Sequence, residues 1–452
     1  MITAQRVGFK SRVGNSTAAT YKIIPSKMGK IFVWILLIAV FEGALRKWVS
    51  TGFTIPLLLL RDGLAIYGTY WAFKTAKLKL TQQGTLTLLF WSILVLLWGL
   101  FQVVVTQNSP LVLIIGLRFW LLYLWFAYAA AMSITQNDFR YIISMIFKLL
   151  LIMLPLAIMQ FYLPPSAFLN KQLDDDVKSV FTVTADIVRT TGTFTFTLGY
   201  TIFLSIVNPF VFSVLTPGSR VWRKKWMPNF LVLALATATI ISGSRSALGM
   251  FTASFLVYSL VSLRYSKSAL QRSKTLVTIL TMISLLSLVP FFLSRAVDAN
   301  KERIEAANEV EDPIERVQGM FFGSHDTYDN FSFIGHGIGL GNNLSSFVVT
   351  GEQTFLLGET EADRIINEGG IFGFAYIGLK LIVIVIGLRK SFFIANKTGN
   401  SLPLMLWITL SVGLSSWQII FQMTVNVFGY LLLGLGIASL RLGYDPSMGK
   451  LK

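Results

Sequence analysis

The chain has 452 residues, of which 54% are hydrophobic and 13% charged; 39 Lys and Arg stand against 22 Asp and Glu, a formal net charge of +17. With a mean hydropathy of +0.64, the polar residues are too few to cover a water-soluble globule of this length, so composition points to a polytopic membrane protein. The absence of Cys removes disulfide frameworks and thiolate chemistry, and two histidines, His325 and His336, are too few for a histidine-rich metal site.

In chain order, residues 1–30 are polar and basic and lead into an apolar run of full span length, the pattern of a cytoplasmic tail before a first helix and not of a cleaved signal peptide. A bilayer core of about 30 Å needs roughly 20 apolar residues per helical span. On that measure about twelve spans are expected, near 31–49, 54–73, 83–106, 110–132, 141–163, 195–215, 228–243, 246–263, 275–294, 371–388, 402–418 and 420–440. The runs are long and do not alternate polar with apolar, so they are helices and not barrel strands. The expected organisation is a tail at 1–30, spans one to nine over 31–294, a large loop at 295–370, spans ten to twelve over 371–440 and a second tail at 441–452.

With the N-terminus placed in the cytoplasm, most Lys and Arg fall in inside segments such as RVWRKKW (220–226) and RYSKSALQRSK (264–274), while most acidic residues fall in 164–194 and 295–370. Basic inside and acidic outside is membrane topology, with both termini cytoplasmic, and not a nucleic-acid footprint. No GxxxxGK[ST] phosphate loop is present, and neither a fixed-period repeat nor pseudo-symmetric halves can be found.

Several ionisable residues fall inside expected spans, among them Glu42, Arg61, Asp62, Arg118 and Lys148. Charges in hydrocarbon are costly and face a bundle interior or a cavity. Glu42 and Arg46 are one helical turn apart and suit a structural pair, whereas Arg118 can serve a lipid diphosphate or pair with Glu42 or Asp62.

Between the seventh and eighth spans, SGSRSALG (242–249) puts Arg245 in a tight outside hairpin. In the large loop, Ile304, Ala307 and Val310 have helical spacing up to a break at Pro313, and glycines 335, 337, 339 and 341 of FIGHGIGLGNN make a turn where backbone can approach a ligand closely. LGETEADRIINEGGIFGF (357–374) then reads as a polar helix start running straight into the tenth span.

In this order and placement SGSRSA, RVQGMFFG, IGHGIGLG and ETEADRIINEGGIFGF, preceded by RTTGTFTFTLGY (189–200), resemble the O-antigen ligase and Wzy-type polysaccharide polymerase superfamily. The resemblance implies an all-α polytopic protein of the bacterial plasma membrane, with about twelve spans and one partly helical extracytoplasmic loop between spans nine and ten. It also implies a metal-independent and cofactor-free glycosyltransferase that passes a polyprenyl-diphosphate-linked oligosaccharide to a sugar hydroxyl. Its partners would be lipid-linked donor and acceptor, membrane lipids, and polysaccharide-export or chain-length proteins.

Carried over by motif, Arg245 and Arg316 would hold the donor diphosphate, which a planar guanidinium fork suits better than a lysine, with Arg189 as a third; Arg118, by its place inside a span and not by motif, is a further binding candidate. Ligases of the family carry a histidine shortly before the Glu-x-Gly of the tenth span; here that register falls on Glu359, with Glu361 and Asp363 beside it. A carboxylate with a raised pKa can take the acceptor's proton, and the same acidic residues also suit a helix first turn. His336, inside the glycine turn, can act as base, bind a sugar or cap the turn.

Overall fold

The computed structural model describes residues 24–172, 182–184, 187–215, 226–265, 268–310, 313–329, 331–350, 357–358 and 360–443. They begin with α1 (Lys27–Trp48), a 3-10 turn, α2 (Thr54–Lys74), α3 (Gln83–Thr106), α4 (Pro110–Leu117), a π-helical turn at Arg118–Leu122, α5 (Tyr123–Ser133) and α6 (Gln136–Tyr162). A small antiparallel ribbon of β1 (Thr182–Thr184) and β2 (Ile187–Val188) precedes α7 (Thr197–Ser213), α8 (Met227–Ile241), α9 (Arg245–Arg264) and α10 (Ala269–Phe292). Then come α11 (Ser294–Val310), α12 (Pro313–Phe322), α13 (His325–Asp329), α14 (Asn343–Thr350) and α15 (Glu361–Gly369), followed by α16 (Ile371–Thr398), α17 (Leu402–Ser416) and α18 (Met423–Leu442).

The protein is an all-α membrane protein. Among the described residues, seven helices are long and apolar enough to cross a bilayer: α1, α3, the α4–α5 run Pro110–Ser133, α6, α9, α16 and α18. This is fewer than the expected twelve, because apolar run length does not equal helix length: α7, α8 and α17 are apolar but only 17, 15 and 15 residues long. The second expected span falls on α2, whose middle carries Arg61 and Asp62, and the ninth on α10.

Large apolar side chains such as Phe90, Leu97, Leu100 and Val104 of α3 and Ile382, Val385 and Ile386 of α16 are exposed on the bundle's outside, a surface that only lipid can cover. By contrast, nearly all of α7 is buried, as befits a helix that is apolar all round. One carboxylate aligns two helix starts: Asp138 completes the capping box of α6 with Thr135 and also accepts from the Ser26 backbone N–H at 2.5 Å and its hydroxyl at 2.8 Å at the start of α1. Both helices therefore begin on one side.

The segment between α10 and α16 is partly helical. Helix is described up to Val310 and again from Pro313, and the break expected just before Pro313 falls on 311–312, outside the described residues. The helix expected to run straight into span ten is instead interrupted. Gly370 has φ +57, and a Cβ there would collide with the Phe333 carbonyl and the Gly335 N–H, so α15 stops and α16 restarts at Ile371.

Candidate functional site

The site is built around the last turn of α15. Its terminal carbonyls would be orphaned by the break at Gly370, and the glycine turn supplies the donors: His336 N–H to Asn367 O at 2.7 Å and Gly337 N–H to Glu368 O at 3.1 Å. Helix α3 supplies the rest, Trp98 Nε1 donating to Gly369 O at 3.0 Å and Gln102 Nε2 to Glu368 O at 2.7 Å. Gln102 also donates to Ile334 O at 2.7 Å and accepts from Ile338 N–H at 2.9 Å, so one buried amide ties a membrane-scale helix to both α15 and the turn. Close docking needs glycine here as well, since Gly335 and Gly339 have φ of +82 and +99 and lie against backbone.

Replacing Gln102 with the near-isosteric Leu removes this partner from the Ile334 carbonyl and the Ile338 N–H, while Glu368 O keeps the Gly337 N–H; a buried group left unsatisfied costs about 1–3 kcal/mol. A clearly lowered thermal midpoint of the purified variant in detergent is the expected result; an unchanged midpoint would mean that water replaces the amide.

This architecture presents Glu368, whose side chain is fully buried. Its Oε1 accepts from Gly341 N–H at 2.7 Å and its Oε2 from Trp120 Nε1 at 3.1 Å. Trp120 belongs to the π-helical turn, which aims the indole inward, while Asn426 of α18 satisfies the Phe119 carbonyl of the same turn at 2.9 Å. Such π-bulges are frequent at functional positions. Stacked rings keep water from the carboxyl: Trp120 lies 4.6 Å from Tyr376, and Trp91 5.0 Å from Phe372, centre to centre. Burial drives the Glu368 carboxyl up to about 7, against the opposing pull of the Gly339 and Gly341 N–H groups, the indole and Arg364.

Phe421 separates this carboxylate from open space. A side chain at Gly341 would touch both the Phe421 ring and Glu368 Oε1, the Arg364 guanidinium lies 5.3 Å from the centre of that ring, and Phe421 itself lines a cleft of about 130 Å3. The cleft is walled by the end of α1, the starts of α2, α7, α14 and α18, and residues 194–196.

Of the residues singled out in the sequence, Glu361 is buried and its Oε1 lies 3.4 Å from Lys380 Nζ. Burial raises its carboxyl above the ordinary range, opposed by Lys380 and Arg364. Asp363 is a structural clamp: it closes the capping box with Thr360 and accepts from Ser324 N–H at 2.6 Å and Thr327 Oγ1 at 2.8 Å. Burial alone would raise that carboxyl, but these hydrogen bonds outweigh it and hold it below its usual range, so Asp363 is a poor base and, so engaged, a poor sugar ligand. Arg118 is occupied too, forking onto Asp62 at 2.6 and 3.0 Å, with Tyr123 donating to the same carboxylate. Its expected part in substrate binding therefore gives way to the pairing alternative.

Arg245 opens α9, half-buried, behind its N-cap Ser244. Thr190, next to Arg189, bonds to Ile241 O at 3.5 Å, and Asn300 of α11 to Ile240 O at 2.8 Å. Arg189, the Arg245 hairpin and α11 thus gather at one end of α8. Arg316 lies on α12, which packs against α15 and α17, but its side chain is outside the described residues, as is Glu359. The His336 side chain is exposed while its backbone braces α15. In the sequence Glu368 marks only a register, and Gln102 and Trp120 carry no local signal, since their partners lie 232 to 266 residues away. Neither a family model nor a curated protein matches the chain, so the functional reading rests on these residues and on the motif order.

Proposed function

We propose that the chain is a metal-independent membrane glycosyltransferase of the polysaccharide-polymerase type, acting at the outer face of the bacterial plasma membrane. In this reading it has about twelve spans, cytoplasmic termini and an extracytoplasmic segment 295–370. The donor is a polyprenyl-diphosphate-linked oligosaccharide and the acceptor is a sugar hydroxyl of another lipid-linked unit. The acceptor oxygen bonds to the donor's anomeric carbon, the bond from that carbon to the diphosphate oxygen breaks, and the electron pair leaves with the lipid diphosphate. The hydroxyl proton passes to a carboxylate, for which Glu368 is the best poised of those described, with Glu361 and Glu359 as the neighbours to test beside it. Arg245 and Arg316 take up charge on the leaving diphosphate, with Arg189 close by.

The observation that carries the proposal is a fully buried carboxylate, pushed by that burial up to about 7, beside the ring of Phe421, which lines a cleft at the ends of membrane-scale helices. Transfer from an amphiphilic donor needs both a base near neutrality and a place for a glycan beside lipid.

Purified protein supplied with lipid-linked repeat units should build a ladder of longer glycans without nucleotide or ion gradient. One added unit on a different terminal acceptor would make it a ligase-like transferase. Movement of substrate across vesicles with no new glycosidic bond would replace the transferase by a transporter.

A further inference from the structure

Arg46 and the cleft beside it play no part in the motif order. Among the described residues Arg46, near the end of α1, is the only charged one lining the cleft, and no carboxylate lines it. Behind it, Glu42 is already held by the fully buried Arg61 at 2.5 Å, leaving Arg46 a longer contact of 3.5 Å. Asp62 is taken by Arg118 in the same group of helices. Three arginines therefore meet two carboxylates, and the charge left over belongs to the arginine at the cleft. Its Nε is buried with no hydrogen-bond partner among the described residues, as are Arg61 Nε and Nη2 behind it, so pairing within this group of charges is incomplete, and Arg46, its side chain 11% exposed, is the member of the group that lines the cleft.

The walls have the same preference. Helices α2, α7 and α18 all begin at the cleft, and none of the three is capped by a side chain, so partial positive charge at helix starts adds to the guanidinium. The remaining wall is amphipathic: Thr195, Asn343 and Gln422 offer neutral polar groups, and Leu58 and Met423 apolar ones. One side opens to lipid, for Ile55 is 66% exposed on α2 and Phe196 is 47% exposed. A free phosphate would have no use for that apolar opening, whereas a lipid with a phosphoryl head would use both parts of the site.

We infer that this cleft binds the phosphoryl head of a lipid through Arg46, at a site separate from the arginines grouped at the end of α8, and that in the proposed reaction it seats the lipid-linked acceptor. Neither Arg189 nor Arg245 lines it. The second clause rests on the proposed polymerase reading; the binding site does not.

The test is titration of the purified full chain in detergent with farnesyl diphosphate, read by calorimetry. Two sites are expected in the wild type. Arg46→Gln should remove one or weaken it about tenfold or more, the loss of a hydrogen-bonded charged partner, while the other is lost in Arg245→Gln. Gln422→Glu leaves Arg46 in place but adds a repelling charge to the wall, and should weaken the same site. Competition by phosphatidylglycerol as strong as that by farnesyl diphosphate would assign the site to any phospholipid headgroup, and competition by isoprenoid diphosphates alone would assign it to lipid-linked substrates; both support a phosphoryl-lipid site. Unchanged affinity and stoichiometry in both Arg46→Gln and Gln422→Glu would overturn it. If Arg46-dependent binding is found but no glycan ladder forms, the site stands and the polymerase reading falls; if a ladder forms at normal rate in Arg46→Gln, the acceptor assignment falls alone.

Discussion

Glu368→Gln should lower the rate of glycan transfer by about 10²–10⁴, the usual value of a positioned acid–base group, while leaving lipid-linked donor bound. The ionised form is the base, so transfer in the wild type should be lost as pH falls through about 7, the value to which burial raises this carboxyl. Stability should move the other way. Because the folded pKa lies above the ordinary 4.5, the unfolded chain releases this proton first, and stability should decline as pH rises from about 4.5 to about 7. Glu368→Gln should flatten that part of the profile, although its amide cannot accept from both Trp120 Nε1 and Gly341 N–H without turning an N–H toward one of them. The checks are ladder formation against pH and the thermal midpoint against pH for both proteins. Glu361→Gln and Glu359→Gln belong in the same experiment. If either of them is inactive while Glu368→Gln turns over normally, the proton goes to the carboxylate in the histidine register and Glu368 only braces the glycine turn.

What the sequence made readable was local. The glycine turn, the acidic first turn of α15 and the Glu42–Arg46 pair all depend on residues a few positions apart, and all appear in the structure. Glu368 could not be read in this way. Its burial and proton affinity come from Trp120 and Gly341 closing on it, and the indole reaches it only because the helix at Arg118–Leu122 is π-wound, which no apolar periodicity signals. Gln102 gave no signal either, since a lone amide in an apolar run looks like any tolerated polar residue until its three backbone partners are in view. Arg46 was legible as half of a helical pair; that Arg61 would take most of Glu42 and release Arg46 toward a cleft is a tertiary fact. That twelve apolar runs yield seven helices of full span length among the described residues has a related reason, because hydropathy registers how long a segment stays apolar, while loops and caps decide how much of it is helix.

Arg245→Lys and Arg316→Lys should each cost about 10²–10³ in transfer rate, equivalent to about 2.7–4 kcal/mol, by comparison with removal of one donor from an oxyanion site. Arg245 sits at the first position of α9, where the helix start also favours an anion. A guanidinium there can present two parallel N–H groups to diphosphate oxygens; an ammonium offers a compact charge but not the fork, so lysine should rescue little. If both arginines hold one diphosphate, the double variant should lose much less than the product of the two single losses, because the second substitution removes a contact already broken. The measurement is initial ladder rate at saturating donor for both single variants and the double, with membrane expression and thermal midpoint as controls for folding. Near-normal turnover in the lysine variants at normal expression would assign these arginines to ordinary lipid headgroups. Losses that multiply in the double variant would place them on separate groups and break the shared diphosphate site.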